Sequence, residues 1–154
     1  MKPRFVLDAW AILALLQKEE PAASRVQRLL KDAENGLAEL FISIINLGEI
    51  AYRIGRLRAE DEALATLEEI RRLALTIVPA SDEAVLAAAR FKMHYAVSYA
   101  DAFAAVATDE LKATLVTGDP ELTQLGDRLR LEKLERGEFL PQRSRRTQRK
   151  EKTC

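Results

Sequence analysis

Short apolar runs alternate with stretches of helical apolar spacing along almost the whole chain, and this alternation restricts the fold more than any single residue does. Arg4 to Asp8 reads as a short buried strand that runs directly into a helix over Ala9 to Lys18. Pro21 opens a second helix that Asn35-Gly36 closes. Leu40 to Ile42 is a brief strand, and Ser43 caps a helix to about Arg56. Glu60 to Ala74 forms another helix, with Ala63, Leu64, Leu67 and Ile70 on one face. Leu75 to Val78 is strand-like, Ser81-Asp82-Glu83 opens an Ala-rich helix to about His94, and Ser98 begins one that reaches about Leu111. Thr114 to Thr117 is then a strand, Gly118-Asp119-Pro120 turns into a short helix, and Arg128 to Leu134 supplies a last strand. Strands joined in this way by helices require right-handed crossovers. The expected class is therefore α/β: a short parallel sheet flanked by helices on both faces.

Length and composition fit one domain with a sizeable core rather than a disordered or fibrous chain. The chain has 154 residues, 48% of them apolar, and its loops are short. Its single cysteine, Cys154, allows neither an intramolecular disulfide nor a zinc site built on several thiolates, which suits a reducing cytoplasm. The apolar stretch from Ala9 to Leu16 is too short, and too closely bounded by Asp8, Lys18, Glu19 and Glu20, to span a membrane or serve as a targeting signal. The chain is formally neutral, but residues 142–154 hold six Lys or Arg against Glu151 alone, so the remainder carries five net negative charges. The expected division is a domain over residues 1–137 and a basic, flexible tail over 138–154. That tail suits either contact with a phosphate backbone or the role of a solvated end.

Four acids stand out together, although each also has an ordinary structural account. Asp8 sits where an apolar strand gives way to an apolar helix, and an aspartate there is a preferred N-cap. Glu49 shares a helical stripe with Asn46, Arg53 and Arg56, and Arg53 is its i+4 ion-pair partner. Gly48 beside it, unfavourable inside a helix, suggests that another chain segment or a ligand approaches closely there. Asp101 fits a capping box opened by Ser98, and Asp119 is a cap followed by proline in the first helical position. Only the set is informative.

The segments FVLDAWAILALL, ISIINLGEIAYR, SYADAFAAVATDEL and LVTGDPEL, in this order within one alternating α/β chain, resemble the acidic motifs of the PIN-domain family, and within it those of the VapC-type toxins of prokaryotic toxin–antitoxin pairs. The resemblance spans roughly residues 4–135. It implies a single PIN-like domain, a pocket that binds Mg²⁺ or Mn²⁺, and endonucleolytic cleavage of RNA. Asp8, Glu49, Asp101 and Asp119 then match the family's acids: Asp8 and Asp101 as principal metal ligands, Glu49 and Asp119 for a second ion or for orienting the attacking water. Many relatives carry a serine or threonine just after the first aspartate, whereas Ala9 and Trp10 follow here; Asn46 and Thr117 are the candidates to supply that polar support. The resemblance further implies a small VapB-type antitoxin that offers an arginine to the carboxylates, and a homodimer.

The chemistry is consistent with what is present and missing. Converging carboxylates repel one another unless a cation neutralises them or some are protonated, and a divalent ion with oxygen ligands meets that need. One histidine and one terminal cysteine leave no Ser-His-Asp or Cys-His set. His94 reads as a helix-end or surface residue, while Trp10, Phe91, Tyr95 and Phe103 read as core or interface. Arg53 and Arg56 fit either a guide for RNA or a solvated helix face. A PIN-like scaffold that binds RNA or protein without cutting is the alternative, against which the full set of four acids counts. A phosphoacceptor domain lacks its paired acids and late lysine, and no Gly-rich phosphate loop supports nucleotide binding.

Overall fold

The computed structural model of this protein describes residues 1–137. The twelve elements are β1 (Arg4–Leu7), α1 (Ala9–Leu16), α2 (Ala22–Glu34), β2 (Glu39–Ser43), α3 (Ile44–Leu57), α4 (Glu60–Arg71), β3 (Thr76–Val78), α5 (Asp82–His94), α6 (Tyr99–Leu111), β4 (Thr114–Thr117), α7 (Pro120–Thr123) and β5 (Leu131–Lys133). The five strands form one sheet in the order β3-β2-β1-β4-β5, and every pairing is parallel. Phe5 lies opposite Leu40 on one side and Thr114 on the other. The chain thus fills one side of β1 with β2 and β3, then crosses to place β4 and β5 on the other. The order reverses between β1 and β4, and in such open sheets the crevice beyond the carboxyl ends of those strands is where ligands bind.

Alternation along the strands separates two cores. Leu7, Leu40, Ile42 and Val116 join Ile12, Val26, Leu29, Leu47, Ile50 and Ile70 beneath α1 to α4. Val6, Phe41 and Leu115 point the other way, into a core with Phe91, Phe103, Leu122 and five alanines of α5 and α6. The alanines leave no bulk between the second helical layer and the sheet, so α6 packs close to β1 with its backbone near the strand ends. Among the aromatic residues expected inside, Phe91 and Phe103 are buried, while Trp10 and Tyr95 are half-buried.

Local sequence signals explain most boundaries. The side chains of Asp8, Ser43, Ser81 and Ser98 each accept from a backbone N–H in the first turn of the following helix. Gly36, at φ +73°, ends α2: its N–H donates to Ala33 O and that of Leu37 to Asp32 O, a pair of bonds that requires a left-handed residue there. Four expectations need correction. Pro21 stands just before α2 rather than inside it. α4 stops at Arg71 rather than Ala74, and β5 covers Leu131–Lys133 rather than Arg128 to Leu134. Leu64 is 57% exposed, because Ala63, Leu67 and Ile70 follow the helical period toward the core and Leu64 lies about 100° away from them. No helix among the described residues is long and apolar enough to cross a membrane. The basic tail expected at 138–154 lies outside the described residues.

Candidate active site

The four acids come from four different places in the chain. Asp8 follows the last residue of β1, and Asp119 stands two residues beyond the last residue of β4, its neighbour in the sheet. Glu49 projects from the second turn of α3, and Asp101 from the first turn of α6. Asn46, one turn before Glu49, donates through Nδ2 to Ala100 O at 3.2 Å and so ties α3 to the start of α6. Asn46 is fully buried, so the stripe it shares with Glu49, Arg53 and Arg56 is not uniformly solvated as its spacing suggested. It runs from a buried end at α6 to exposed arginines.

The capping roles expected for these residues are real, and they leave room for another. Asp8 accepts from Ala11 N at 2.9 Å through Oδ1, while its Oδ2 accepts from the Thr117 hydroxyl. Thr117 Oγ1 in turn accepts from Asp119 N at 3.0 Å, and Asp119 Oδ1 accepts from Glu121 N at 2.9 Å. Each cap occupies one carboxylate oxygen. Thr117 is the polar support for Asp8 that the Ala9-Trp10 pair does not provide. The capping box expected at α6 differs from its sequence reading: Ser98 Oγ accepts from Asp101 N at 3.1 Å, but the reciprocal bond, from Ser98 N, goes at 3.2 Å to Glu121 Oε2. Glu121 of α7 does the work that the capping motif assigned to Asp101. Glu49 pairs with Arg53 at 2.9 Å, as its spacing indicated.

The acids sense one another. Burial raises the Asp8 carboxyl to about 7; hydrogen bonds from Thr117 and Ala11 oppose the rise, and repulsion from Asp119 and Glu49 adds to it. Burial likewise raises Asp101 to about 8, with repulsion from Asp119, Asp8 and Glu49 behind it and the Ser98 side chain opposing. Glu49 is also raised by burial, against the pull of Arg53 and with the push of Asp119. Without a cation, the protein must keep protons on this cluster near neutral pH.

Part of the predicted donor set fits a hard divalent ion. Carboxylate oxygens of Asp101, Asp119 and Glu121 lie within 4.8 Å of one another, while among the described residues Asp8 and Glu49 stand outside that group. Ligands about 2.1 Å from a Mg²⁺ ion are at most about 4.2 Å apart, so a small closure completes such a shell. Asn46 Oδ1 is buried and has no hydrogen-bond partner among the described residues, which leaves one neutral oxygen for a bound water. Glu121 was missed in the sequence; its only signal was a second acid two residues after the Asp119 cap.

Gly48 does not make room for another described part of the chain: a Cβ there would meet no atom of the described residues within 4 Å, which leaves open space beside Glu49. The glycine pressed on beside the acids is Gly118, where a Cβ would fall 2.4 Å from the Trp10 ring. The Arg136 guanidinium lies over the same ring, 5.9 Å from its centroid. A separate open groove of about 940 Å³ runs along α5, but Arg90, His94 and Arg128 share it with Glu83, Asp109 and Glu110, and it holds none of the four acids.

Comparison with known proteins agrees with this arrangement. The family model for the PIN domain matches residues 5–128. No curated protein sequence matches the chain. Solved structures with the same fold include the DNA-bound VapBC of Salmonella typhimurium, at 20% identity and a TM-score of 0.66 over 85% of this chain and 98% of the other. VapBC2 from Rickettsia felis, bound to a promoter DNA fragment, matches at 18% identity and 0.65 over 86% and 99%. VapC20 of Mycobacterium tuberculosis, described as a toxin that cleaves the sarcin-ricin loop, matches at 14% identity and 0.63 over 79% and 95%. Identities this low establish a shared fold.

Proposed function

The chain belongs to the PIN-domain family, whose nucleases use divalent metals, and on that premise we propose that it is a Mg²⁺- or Mn²⁺-dependent endoribonuclease, the toxin of a cytoplasmic toxin–antitoxin pair. The observation that carries the reading is the gathering of four acids from separate elements at the sheet's switch point, where burial and mutual repulsion push the Asp8 and Asp101 carboxyls upward. A structural role gives no reason to collect this much repulsion in one place.

In this reading Asp8 and Asp101 hold the ion, and Glu49 and Asp119 complete its surroundings or orient the attacking water. The bound ion supplies positive charge that makes water acidic enough to attack phosphorus and that stabilises charge on the phosphoryl oxygens. The chain's own part is positioning. Thr117 and the Ala11 N–H fix the Asp8 carboxylate so that neither oxygen turns away. Thr117 also receives the Asp119 N–H, which locks the two aspartates to each other across neighbouring strands. Glu121 holds the start of α6 through Ser98 N and so sets the height of Asp101. Asn46 holds α3 against α6 and sets Glu49. The protein partner in this reading is a VapB-type antitoxin that places an arginine among the carboxylates, and the toxin is a homodimer.

The test is cleavage of a mixed RNA pool by purified protein with Mn²⁺ or Mg²⁺, with EDTA, and after Asp8→Asn. Cleavage lost in both controls, with the variant shown to fold, supports the reading. Cutting that survives either control removes it.

A further inference from the structure

A polyanion that approaches four acids needs cations close beside them. The grooves of the domain differ in what they offer it. Along α5, Arg90, His94 and Arg128 are matched by Glu83, Asp109 and Glu110. A smaller groove of about 490 Å³ lies between α1 and α3, lined by Leu13, Gln17, Tyr52, Arg53, Arg56 and Leu57: two cations and, among the described residues, no acid. Past Leu57 it continues toward α4, and there Arg58 stands with Glu62 and Glu69. The cationic stretch is therefore short and bounded. An ordinary solvated face mixes both signs, as its neighbours do.

This stretch starts at the acids. Arg53 reaches back one turn to pair with Glu49 at 2.9 Å, yet its side chain remains 51% exposed. A guanidinium carries five N–H donors, so a pairing with one carboxylate leaves donors for a second anion. Residues three, four and seven positions beyond Glu49 share a face of α3, which sets Tyr52, Arg53 and Arg56 in a line leading away from it. At 1.5 Å per residue, Arg56 stands about 10 Å along the axis from Glu49, about the rise of three stacked nucleotides. Tyr52 is 54% exposed, with Arg56 one turn beyond it. Its ring presents an aromatic surface between the two cations, and Leu13 and Leu57 add apolar surface beside it.

Resting on the ribonuclease reading above, we propose that the groove between α1 and α3 is the subsite for single-stranded RNA next to the bond to be cut, with Arg53 and Arg56 on neighbouring phosphates and Tyr52 stacked on a base. An unpaired strand suits it because only there is a base free to leave its neighbours and lie on an aromatic ring. Phosphate contacts fix the register of the strand and read no sequence. The groove thus holds the strand in place and leaves the choice of bond to the acidic crevice.

The test uses the full chain. In an Asp8→Asn background, which keeps RNA intact, anisotropy of a fluorescent single-stranded RNA is followed between about 50 and 200 mM salt with Mg²⁺. Arg56→Gln should weaken binding about threefold to tenfold at the lower salt and flatten the log–log salt slope by about 0.7, the share of one phosphate contact on a single strand. Arg56→Lys should keep the slope. Tyr52→Ala should weaken binding at least about fivefold with the slope unchanged, and Tyr52→Phe should restore it, because a stacked ring makes that contact. Arg90→Gln, in the groove along α5, removes the same charge and should change neither affinity nor slope. Both Tyr52 and Arg56 are exposed, so the variants keep the fold, which circular dichroism checks. In the chain with Asp8 intact, the loss in Arg56→Gln should appear as a higher KM rather than a lower kcat. Unchanged RNA binding in either Arg56→Gln or Tyr52→Ala overturns the subsite and leaves the groove to another partner. Equal losses in Arg90→Gln overturn it too, since they trace the effect to overall charge. Metal-dependent cutting with RNA binding unmoved removes the subsite and keeps the ribonuclease; the expected losses in a protein that cuts no RNA do the reverse.

Discussion

Replacing Asp8 with asparagine should stabilise the metal-free protein at pH 8 while abolishing cleavage. In the fold, the Asp8 carboxyl stands at about 7 against an ordinary value of 3.8. The folded-state pKa is the higher one, so protonation of Asp8 supports the fold fully below about pH 4. That support is lost as the pH climbs through about 7. A gap of about three pH units, at ~1.4 kcal/mol each, makes the ionised residue a burden of about 4 kcal/mol at pH 8. At pH 5 the burden shrinks to about 1–2 kcal/mol. Asparagine escapes it and keeps the bond from Ala11 N through its carbonyl oxygen. It loses the Thr117 contact, whose hydroxyl proton then lacks its acceptor, at about 1–2 kcal/mol. The variant should therefore be more stable than the parent by about 2–3 kcal/mol at pH 8 and about equal to it at pH 5. Urea unfolding in EDTA at the two pH values measures this, by far-ultraviolet circular dichroism, with fluorescence of Trp10, the chain's one tryptophan, as a second probe. A variant less stable at pH 8, or a difference that does not change with pH, would refute the assignment of the raised pKa to a buried, repelled carboxylate.

Added Mn²⁺ or Mg²⁺ should raise Tm more at pH 8 than at pH 5.5, because the ion must displace protons from Asp8 and Asp101 at the lower pH; thermal scans with and without EDTA compare the two, and an equal rise at both pH values counts against these ligands. Thr117→Val keeps the shape but removes the hydroxyl that Asp8 and Asp119 share, and should lower cleavage at least about tenfold with the circular dichroism spectrum unchanged. Gly118→Ala sets a methyl 2.4 Å from the Trp10 ring and should lower stability by about 1–3 kcal/mol in urea, with part of the loss recovered when Trp10→Leu is added.

Alternation and capping residues made the fold legible, since each of the twelve elements has a local signal at one end or a periodic face. The strand order was not legible, because no local pattern states that β4 inserts beside β1 rather than extending the sheet beyond β3. The four acids were found as a set, and the structure brings them close enough for their charges to interact. Individually they remained ambiguous, and the structure shows the physical reason. A carboxylate offers several lone pairs and an N-cap uses one, so the capping signal and a ligand role coexist in Asp8, whose second oxygen also accepts from Thr117, and in Asp119. Glu121 escaped because Ser98 N and the Asp101 carboxylate come from elsewhere in the chain, and its one local sign, Asp119 two residues before it, reads as an ordinary acidic helix start. Gly48 stayed ambiguous because a glycine in a helix is equally compatible with open space and with a neighbouring chain segment; only coordinates separate the two.

The pairing of β1 with β4 also bears on how the molecule comes into being. A chain emerges from the ribosome with its N-terminus first, and its early elements can begin to pack before the rest exists. Residues up to about His94 suffice for β1, β2 and β3 and the helices that cover one side of them. Until Thr114 to Thr117 arrive, β1 has an unpaired edge, Asp8 lacks the hydroxyl that holds it, and Asp119 does not exist. Such a nascent or truncated chain offers a sticky strand edge rather than a working site. The four acids are gathered only after β4 has joined β1, so a chain that stops before Thr117 holds part of the site and not all of it.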